Sequence, residues 1–167
     1  AIACKNTVIV KPPTEAPLSV MNTCELLDGE FPDGVVNVVT GYGSEVGDYL
    51  VCSSEVNKIS FTGSVTSGMM ISQKAGMKKV TLELGGNDPV IILKDADIEK
   101  AVKGIINGAF LNAGQVCMGV KRVIVEESIA DEFAEKLVCE TEKLVMGNPL
   151  DSKTTLGTLI SEKAAIR

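Results

Sequence analysis

Short apolar runs alternate with stretches of helical spacing along the whole chain. Thr7-Val8-Ile9-Val10 is an apolar run stopped by Pro12-Pro13, and Val35 to Val39, Lys58 to Phe61 and Lys79 to Glu83 repeat the pattern. Between them, Pro17 to Leu27 carries Leu18, Met21 and Leu26 at helical spacing and ends at Asp28-Gly29. Ser44 opens a short helix through Leu50, and Val65 to Ala75 reads as a helix closed by Gly76. These are helix start and stop signals. Continuous apolar strands separated by helices predict an α/β fold with a parallel sheet covered on both faces.

The pattern restarts after Gly85-Gly86-Asn87-Asp88-Pro89, a turn-rich segment and the one candidate boundary. Val90 to Leu93 and Val120 to Val125 read as strands. Ile98, Val102, Ile105 and Ala109 line one helix face; Ile129, Phe133, Leu137 and Leu144 line another. The chain opens inside a helix–strand unit, Ala1 to Val10, and closes in a polar loop and the start of a helix, Leu159 to Arg167, so partners of its sheet are expected outside it.

Composition narrows the class. The 167 residues suffice for a real core, with 45% hydrophobic and 23% charged positions. A net charge of -6 disfavours a nucleic-acid footprint, which needs a basic stripe. No apolar run approaches the ~20 residues that span a bilayer, and Ala1-Ile2-Ala3-Cys4-Lys5 lacks the layout of a signal peptide. Five scattered cysteines and no histidine give neither a disulfide framework nor a zinc spacing, so no metal is expected and a reducing cytoplasm fits.

Four segments carry candidate chemistry. Gly41-Tyr42-Gly43-Ser44-Glu45-Val46-Gly47 follows a strand and opens a helix, the context of a phosphate-binding turn; a plain strand-to-helix turn is the alternative. Phe61-Thr62-Gly63-Ser64 sits in the same context one unit later. There Gly63 allows close approach and Ser64 adds a hydroxyl, or Ser64 is simply an N-cap. Glu83 ends a strand before Leu84-Gly85-Gly86. A glutamate at the carboxyl end of a parallel strand points into the ligand crevice, where half-burial would suit a general base; a surface carboxylate at a strand end is the alternative. Cys117 lies in Gly114-Gln115-Val116-Cys117-Met118-Gly119, where small neighbours leave a substrate room; the alternative is a small core residue.

Together these segments resemble the aldehyde dehydrogenase family. The likeness runs from Lys11-Pro12-Pro13 through Phe61-Thr62-Gly63-Ser64, Leu82-Glu83-Leu84-Gly85-Gly86 and Gly114-Gln115-Val116-Cys117 to Gly147-Asn148-Pro149. It implies that residues 1–85 are the later part of a Rossmann-like NAD(P)-binding domain and residues 86–167 the first part of an α/β catalytic domain. It implies Cys117 as nucleophile toward an aldehyde, its backbone N–H as half of an oxyanion hole, and Glu83 as the base that activates water against a thioester. Lys11 is then the ribose contact, Gly63 and Ser64 the pyrophosphate contact with Phe61 in the same segment, and Gly41 lies near the adenosine. Leu84 supplies a backbone contact near the nicotinamide. The whole enzyme is about three times this length, with an oxyanion-hole asparagine upstream. Downstream it carries a ribose-binding glutamate and the strands of a homodimer or homotetramer. A non-catalytic binding or structural relative with the same fold, or an inactive fragment, is the alternative, and activity of this segment by itself is not expected.

Finer features bear on cofactor and substrate. NAD-preferring members of the family carry glutamate where this chain has Thr14. Threonine can donate to a 2′-phosphate and Lys11 can pair with it, which tilts the expectation toward NADP or use of both NADP and NAD, with Glu15 adjacent as an acidic contact. Several stretches look like the non-phosphorylating glyceraldehyde-3-phosphate dehydrogenase branch. That branch places an arginine before the nucleophile; Val116 stands there and fits lactaldehyde or succinate-semialdehyde relatives at least as well. Glu83 itself favours hydrolysis over transfer to CoA, since CoA-acylating members lack it.

Overall fold

The computed structural model describes residues 1–166. Helices and strands track the apolar rhythm closely. In chain order they are β1 (Val8–Val10), α1 (Leu18–Glu25), β2 (Val36–Val38), α2 (Asp48–Cys52), β3 (Lys58–Gly63), α3 (Val65–Lys74) and β4 (Lys79–Leu84). After the Gly85-Gly86-Asn87 link come β5 (Asp88–Ile92), α4 (Ile98–Phe110), β6 (Val120–Val125), α5 (Ala130–Thr141) and α6 (Glu162–Ile166). Contacts divide the chain into two compact units, Ala1–Leu82 and Glu83–Arg167. The division falls inside β4, just before the expected boundary at Gly85.

In the first unit β1 pairs with β2 in parallel, Val8 opposite Val36 and Val10 opposite Val38, and β3 lies beside β4. Val51 and Ala75 are the buried apolar side chains here. Two lysines tie α2 to α3 and to the turn between α3 and β4. Lys74 Nζ meets Asp48 Oδ2 at 2.6 Å, and Lys78 Nζ donates to the Val51 carbonyl at 2.6 Å. One prediction changes form: Gly43–Gly47 winds as a single wide π turn and the α-helix begins only at Asp48. Two glycines in five residues leave the tighter winding without propensity to support it.

The second unit holds the larger core. β5 and β6 run parallel with Val90 opposite Val123 and Ile92 opposite Val125. Ile92, Val102, Ile105 and Phe133 are buried together, backed by Val120, Val125, Ile129 and Leu137. Each such side chain contributes roughly 1.5–3 kcal/mol by leaving water. Asp97 caps α4 by accepting from the Lys100 N–H at 3.1 Å. Leu144 lies outside α5, contrary to the predicted helix face: the helix ends at Thr141, and the chain turns with the Leu144 N–H donating to the Thr141 carbonyl at 3.1 Å.

The sheet faces depart from expectation. Ile9, Ile91 and Ile124 are 51%, 66% and 48% exposed, so the strands are not covered on both sides. Accessible surface totals 12411 Å². Two separate compact units of half the mass would together expose only about 9,500 Å². Among the described residues, no helix is long and apolar enough to cross a membrane.

Candidate active site

The backbone leading to Cys117 takes a strained, side-chain-braced course. α4 stops when Leu111 turns extended, and Asn112, Ala113 and Gly114 then take three consecutive left-handed conformations at φ 51°, 56° and 75°. Gly114 adopts this freely and asparagine tolerates it. Ala113 does not, at a cost of about 1–2 kcal/mol, the kind of local strain that collects at functional sites. Gln115 offsets it. Its Nε2 donates to the carbonyls of Asn112 (3.0 Å) and Thr158 (3.4 Å), and its Oε1 accepts the Ile160 N–H at 2.8 Å.

The chain next closes a turn, Gly119 N–H to the Val116 carbonyl at 3.1 Å, with Cys117 and Met118 at its exposed tip. Gly119 itself is buried. A Cβ there would sit 3.2 Å from the Val116 carbonyl and 3.3 Å from that of Gly108, so the turn packs directly on the end of α4. Cys117 is therefore no core residue. Among the described residues nothing accepts its backbone N–H, which leaves that donor free beside the sulfur.

Glu83 lies in the same unit as Cys117. Along β4 exposure alternates, and Glu83 falls on the open face with Lys79 and Thr81 while Leu82 and Leu84 are half-buried. The half-burial expected of Glu83 is absent: strand alternation sets it on the polar face. No hydrogen bond or ion pair reaches its carboxylate among the described residues, so both oxygens are available to water or substrate.

The cofactor candidates of the first unit form two groups. Thr14 Oγ1 donates to the Gly41 carbonyl at 3.5 Å, and the two line a cavity of about 170 Å³ with Pro17, Thr40 and Tyr42. Lys11 Nζ folds back to the Pro12 carbonyl at 2.7 Å. In the second group, Ser64 caps α3, its Oγ accepting from the Ser67 N–H at 3.1 Å and donating to Ser67 Oγ at 2.9 Å. The N–H groups of Val65 and Thr66 at that helix start have no acceptor among the described residues. Gly63 is not open space: a Cβ would lie 2.5 Å from Phe61 Cζ, so the Phe61 ring already covers it. Free helix N–H groups, a lysine and a cavity the size of one ring match the phosphates and one end of a dinucleotide. Leu84 is half-buried at the end of β4.

Comparison with known proteins decides the family. The model of the aldehyde dehydrogenase family matches residues 1–167. The chain belongs to the aldehyde dehydrogenase family. A lactaldehyde dehydrogenase of Methanococcus aeolicus is 48% identical over 172 residues, covering 100% of this chain and 37% of the relative. Thus the chain spans a little over a third of the curated relatives it matches. Among solved structures, glyceraldehyde-3-phosphate dehydrogenase GapN of Methanocaldococcus jannaschii, complexed with NADP, superposes with a TM-score of 0.96 at 47% identity, over 99% of this chain and 38% of that one. A betaine aldehyde dehydrogenase mutant of Staphylococcus aureus, in complex with NAD+, gives 0.91 at 39% identity, over 94% and 32%. The α/β fold expected from sequence is the fold of this family.

Spacing and composition do not single out two further residues of this aldehyde dehydrogenase segment, Gln115 and Lys121. Gln115 is legible only as part of a motif, although a glutamine in a small-residue loop has hydrogen-bonding groups to place. Lys121 has the look of an ordinary strand residue; its one signal is a lysine near the start of an otherwise largely apolar run.

Proposed function

We propose that this chain is part of an NAD(P)-dependent aldehyde dehydrogenase that oxidises a short aldehyde to its carboxylic acid through a covalent adduct on Cys117. The observation that carries the reading is the Cys117 turn: an exposed thiol with a free N–H beside it, on backbone held in a strained conformation by Gln115. The bracing does not serve to bury Cys117, which stays exposed.

Cys117 Sγ forms a bond to the aldehyde carbon, and the carbonyl electron pair moves to oxygen, where the Cys117 N–H donates to it. A nicotinamide, when bound, would supply hydride acceptance; Cys117 would hold the substrate as a thiohemiacetal before it and as a thioester after it. Glu83 removes a proton from water as its oxygen attacks the thioester carbon. The C–S bond breaks, and the acid leaves with Cys117 restored as thiolate. Lys11, Thr14, Gly41, Phe61, Gly63, Ser64 and Leu84 are the proposed cofactor contacts, with Thr14 and Lys11 suited to NADP. The NADP complex of the GapN relative supports that preference. Val116 gives no cation for a substrate phosphate, and the lactaldehyde dehydrogenase relative supports a short, unphosphorylated hydroxyaldehyde. All five cysteines are free, in keeping with a cytoplasmic setting.

The test is cofactor reduction, read by the absorbance of the reduced nicotinamide, with lactaldehyde, succinate semialdehyde and glyceraldehyde 3-phosphate, NADP against NAD. Aldehyde-dependent reduction that disappears in C117S is expected. The protein assayed is the chain extended at both ends to the length of its relatives, and no reduction by it with any pair refutes the reading and leaves a non-catalytic relative.

A further inference from the structure

Lys121 sits where β6 meets the Cys117 turn, and the strand is irregular there. In the β5–β6 register Asp88 is opposite Val120 and Pro89 opposite Arg122, so Lys121 is the extra residue of a bulge. A bulge re-aims one side chain, and bulges collect beside active sites. Lys121 Nζ reaches the carbonyls of Gly119 at 2.9 Å, Cys117 at 3.3 Å and Val116 at 3.4 Å, and Asp88 Oδ2 at 3.1 Å. Three ammonium protons serve four acceptors, so the ammonium is saturated by the turn and one carboxylate. An exposed lysine–aspartate pair alone is worth little. The backbone carbonyls make the difference, because they all come from the turn that carries the sulfur.

The other end of the link is equally specific. A Cβ on Gly86 would lie 3.1 Å from Asp88 Oδ2, so the Asp88 carboxylate rests against the bare backbone of Gly86. Gly86 closes the segment Glu83-Leu84-Gly85-Gly86. One continuous line of contacts therefore runs from the segment of the candidate base, through Asp88 and Lys121, to the turn of the candidate nucleophile.

We propose that Lys121 is a positioning residue that fixes the Cys117 turn to the Glu83–Gly86 segment by gathering the Val116, Cys117 and Gly119 carbonyls onto an ammonium anchored by Asp88. The proposal rests on the aldehyde dehydrogenase mechanism above for its consequence in catalysis, but its geometry stands apart from it. A misplacement of about 1 Å at a reacting group costs on the order of a hundredfold in rate. Loss of the clamp thus acts on turnover and leaves substrate affinity in place.

The experiment compares K121M and K121R with the wild type by amide hydrogen exchange and by steady-state kinetics. In K121M, exchange of the Gly119 amide, which is hydrogen-bonded to the Val116 carbonyl, rises at least tenfold while Ile91 and Ile124 in the adjoining strands stay within twofold. K121R, which keeps charge and donors, returns the turn to within threefold of wild type. In kinetics, kcat falls at least tenfold in K121M with KM within threefold, and K121R recovers most of it. Unchanged turn exchange in K121M, equal acceleration across turn and strands, or a K121R turn as fast as that of K121M overturns the proposal. Kinetics are read on the chain extended at both ends; should that protein reduce no cofactor with any aldehyde, the functional reading fails, and the exchange measurement still decides the role of Lys121.

Discussion

Gly108 is the point where α4 touches the foot of the Cys117 turn, and replacing it with alanine sets two effects against each other. Within a helix, Gly→Ala gains up to ~1 kcal/mol of helix propensity. At this position the new Cβ would lie 2.8 Å from Val120 Cγ2 and 3.7 Å from Val120 Cβ. The first distance demands movement; the second is ordinary contact. Val120 is half-buried against the core and stiff at χ1, so it yields poorly. Overpacking of this kind costs about 1–3 kcal/mol, so after a propensity gain of about 1 kcal/mol G108A is destabilising by up to roughly 2 kcal/mol. In a V120A background the clashing methyl is gone and only the propensity gain remains. There G108A becomes stabilising by about 0.5–1 kcal/mol. The sign reversal is the prediction. Native-state hydrogen exchange at Val102 and Ile105 reads it from the second unit alone, avoiding an assumption that both units unfold together. The same sign in both backgrounds would refute the close-packing argument for this end of α4.

Local geometry sets three further outcomes. Ala113 holds φ 56°: A113V lowers stability by at least ~2 kcal/mol because β-branching opposes that conformation, while A113G is neutral or stabilising by up to ~1 kcal/mol, both read from urea midpoints. S64A removes the cap of α3 and costs about 1 kcal/mol, whereas S64T, able to accept from the same N–H, costs less than half of that. The backbone N–H of Lys100, with its side chain, holds the Asp97 carboxyl below its ordinary pKa. Its stabilising contribution is therefore complete above the ordinary carboxylate range and lost as pH falls through the lowered folded value. D97N, which still caps but does not titrate, flattens the acid limb of a stability–pH curve below the ordinary carboxylate range; an unchanged limb would contradict the cap assignment.

Periodicity made most of the elements legible. Strand and helix positions depend on nearest-neighbour spacing, and β3, α3, β4, α4 and β6 lie close to their expected places. The misses have physical causes. Leu144 keeps helical spacing by coincidence after the chain has turned at Thr141. Gly43 and Gly47 weaken a helix start that the strand-to-helix context promises. Exposure of Glu83 is a matter of strand alternation: Leu82 and Leu84 are the half-buried positions of β4, so Glu83 faces the other way. At the site, the sequence exposes the residue types but not the bracing. Gln115 reaches Ile160, 45 positions away, and Lys121 reaches Asp88, 33 positions away. Both contacts depend on where loops and a bulge bring the backbone, which local spacing does not encode. Gly86 reads as part of a turn-rich boundary and Gly119 as a small neighbour that leaves room at Cys117; the structure gives each a steric purpose, one making room for a carboxylate and the other for a helix end.

The central claim is a covalent passage through one sulfur. Intact-protein and peptide mass spectrometry of E83Q, quenched in acid after mixing with lactaldehyde and NADP, tests it most directly. The account predicts an acyl mass on the peptide bearing Cys117, accumulating in E83Q, turning over in the wild type and missing from C117S. An acyl group on Cys4, Cys24, Cys52 or Cys139 instead, or cofactor reduction by C117S at the wild-type rate, would contradict it.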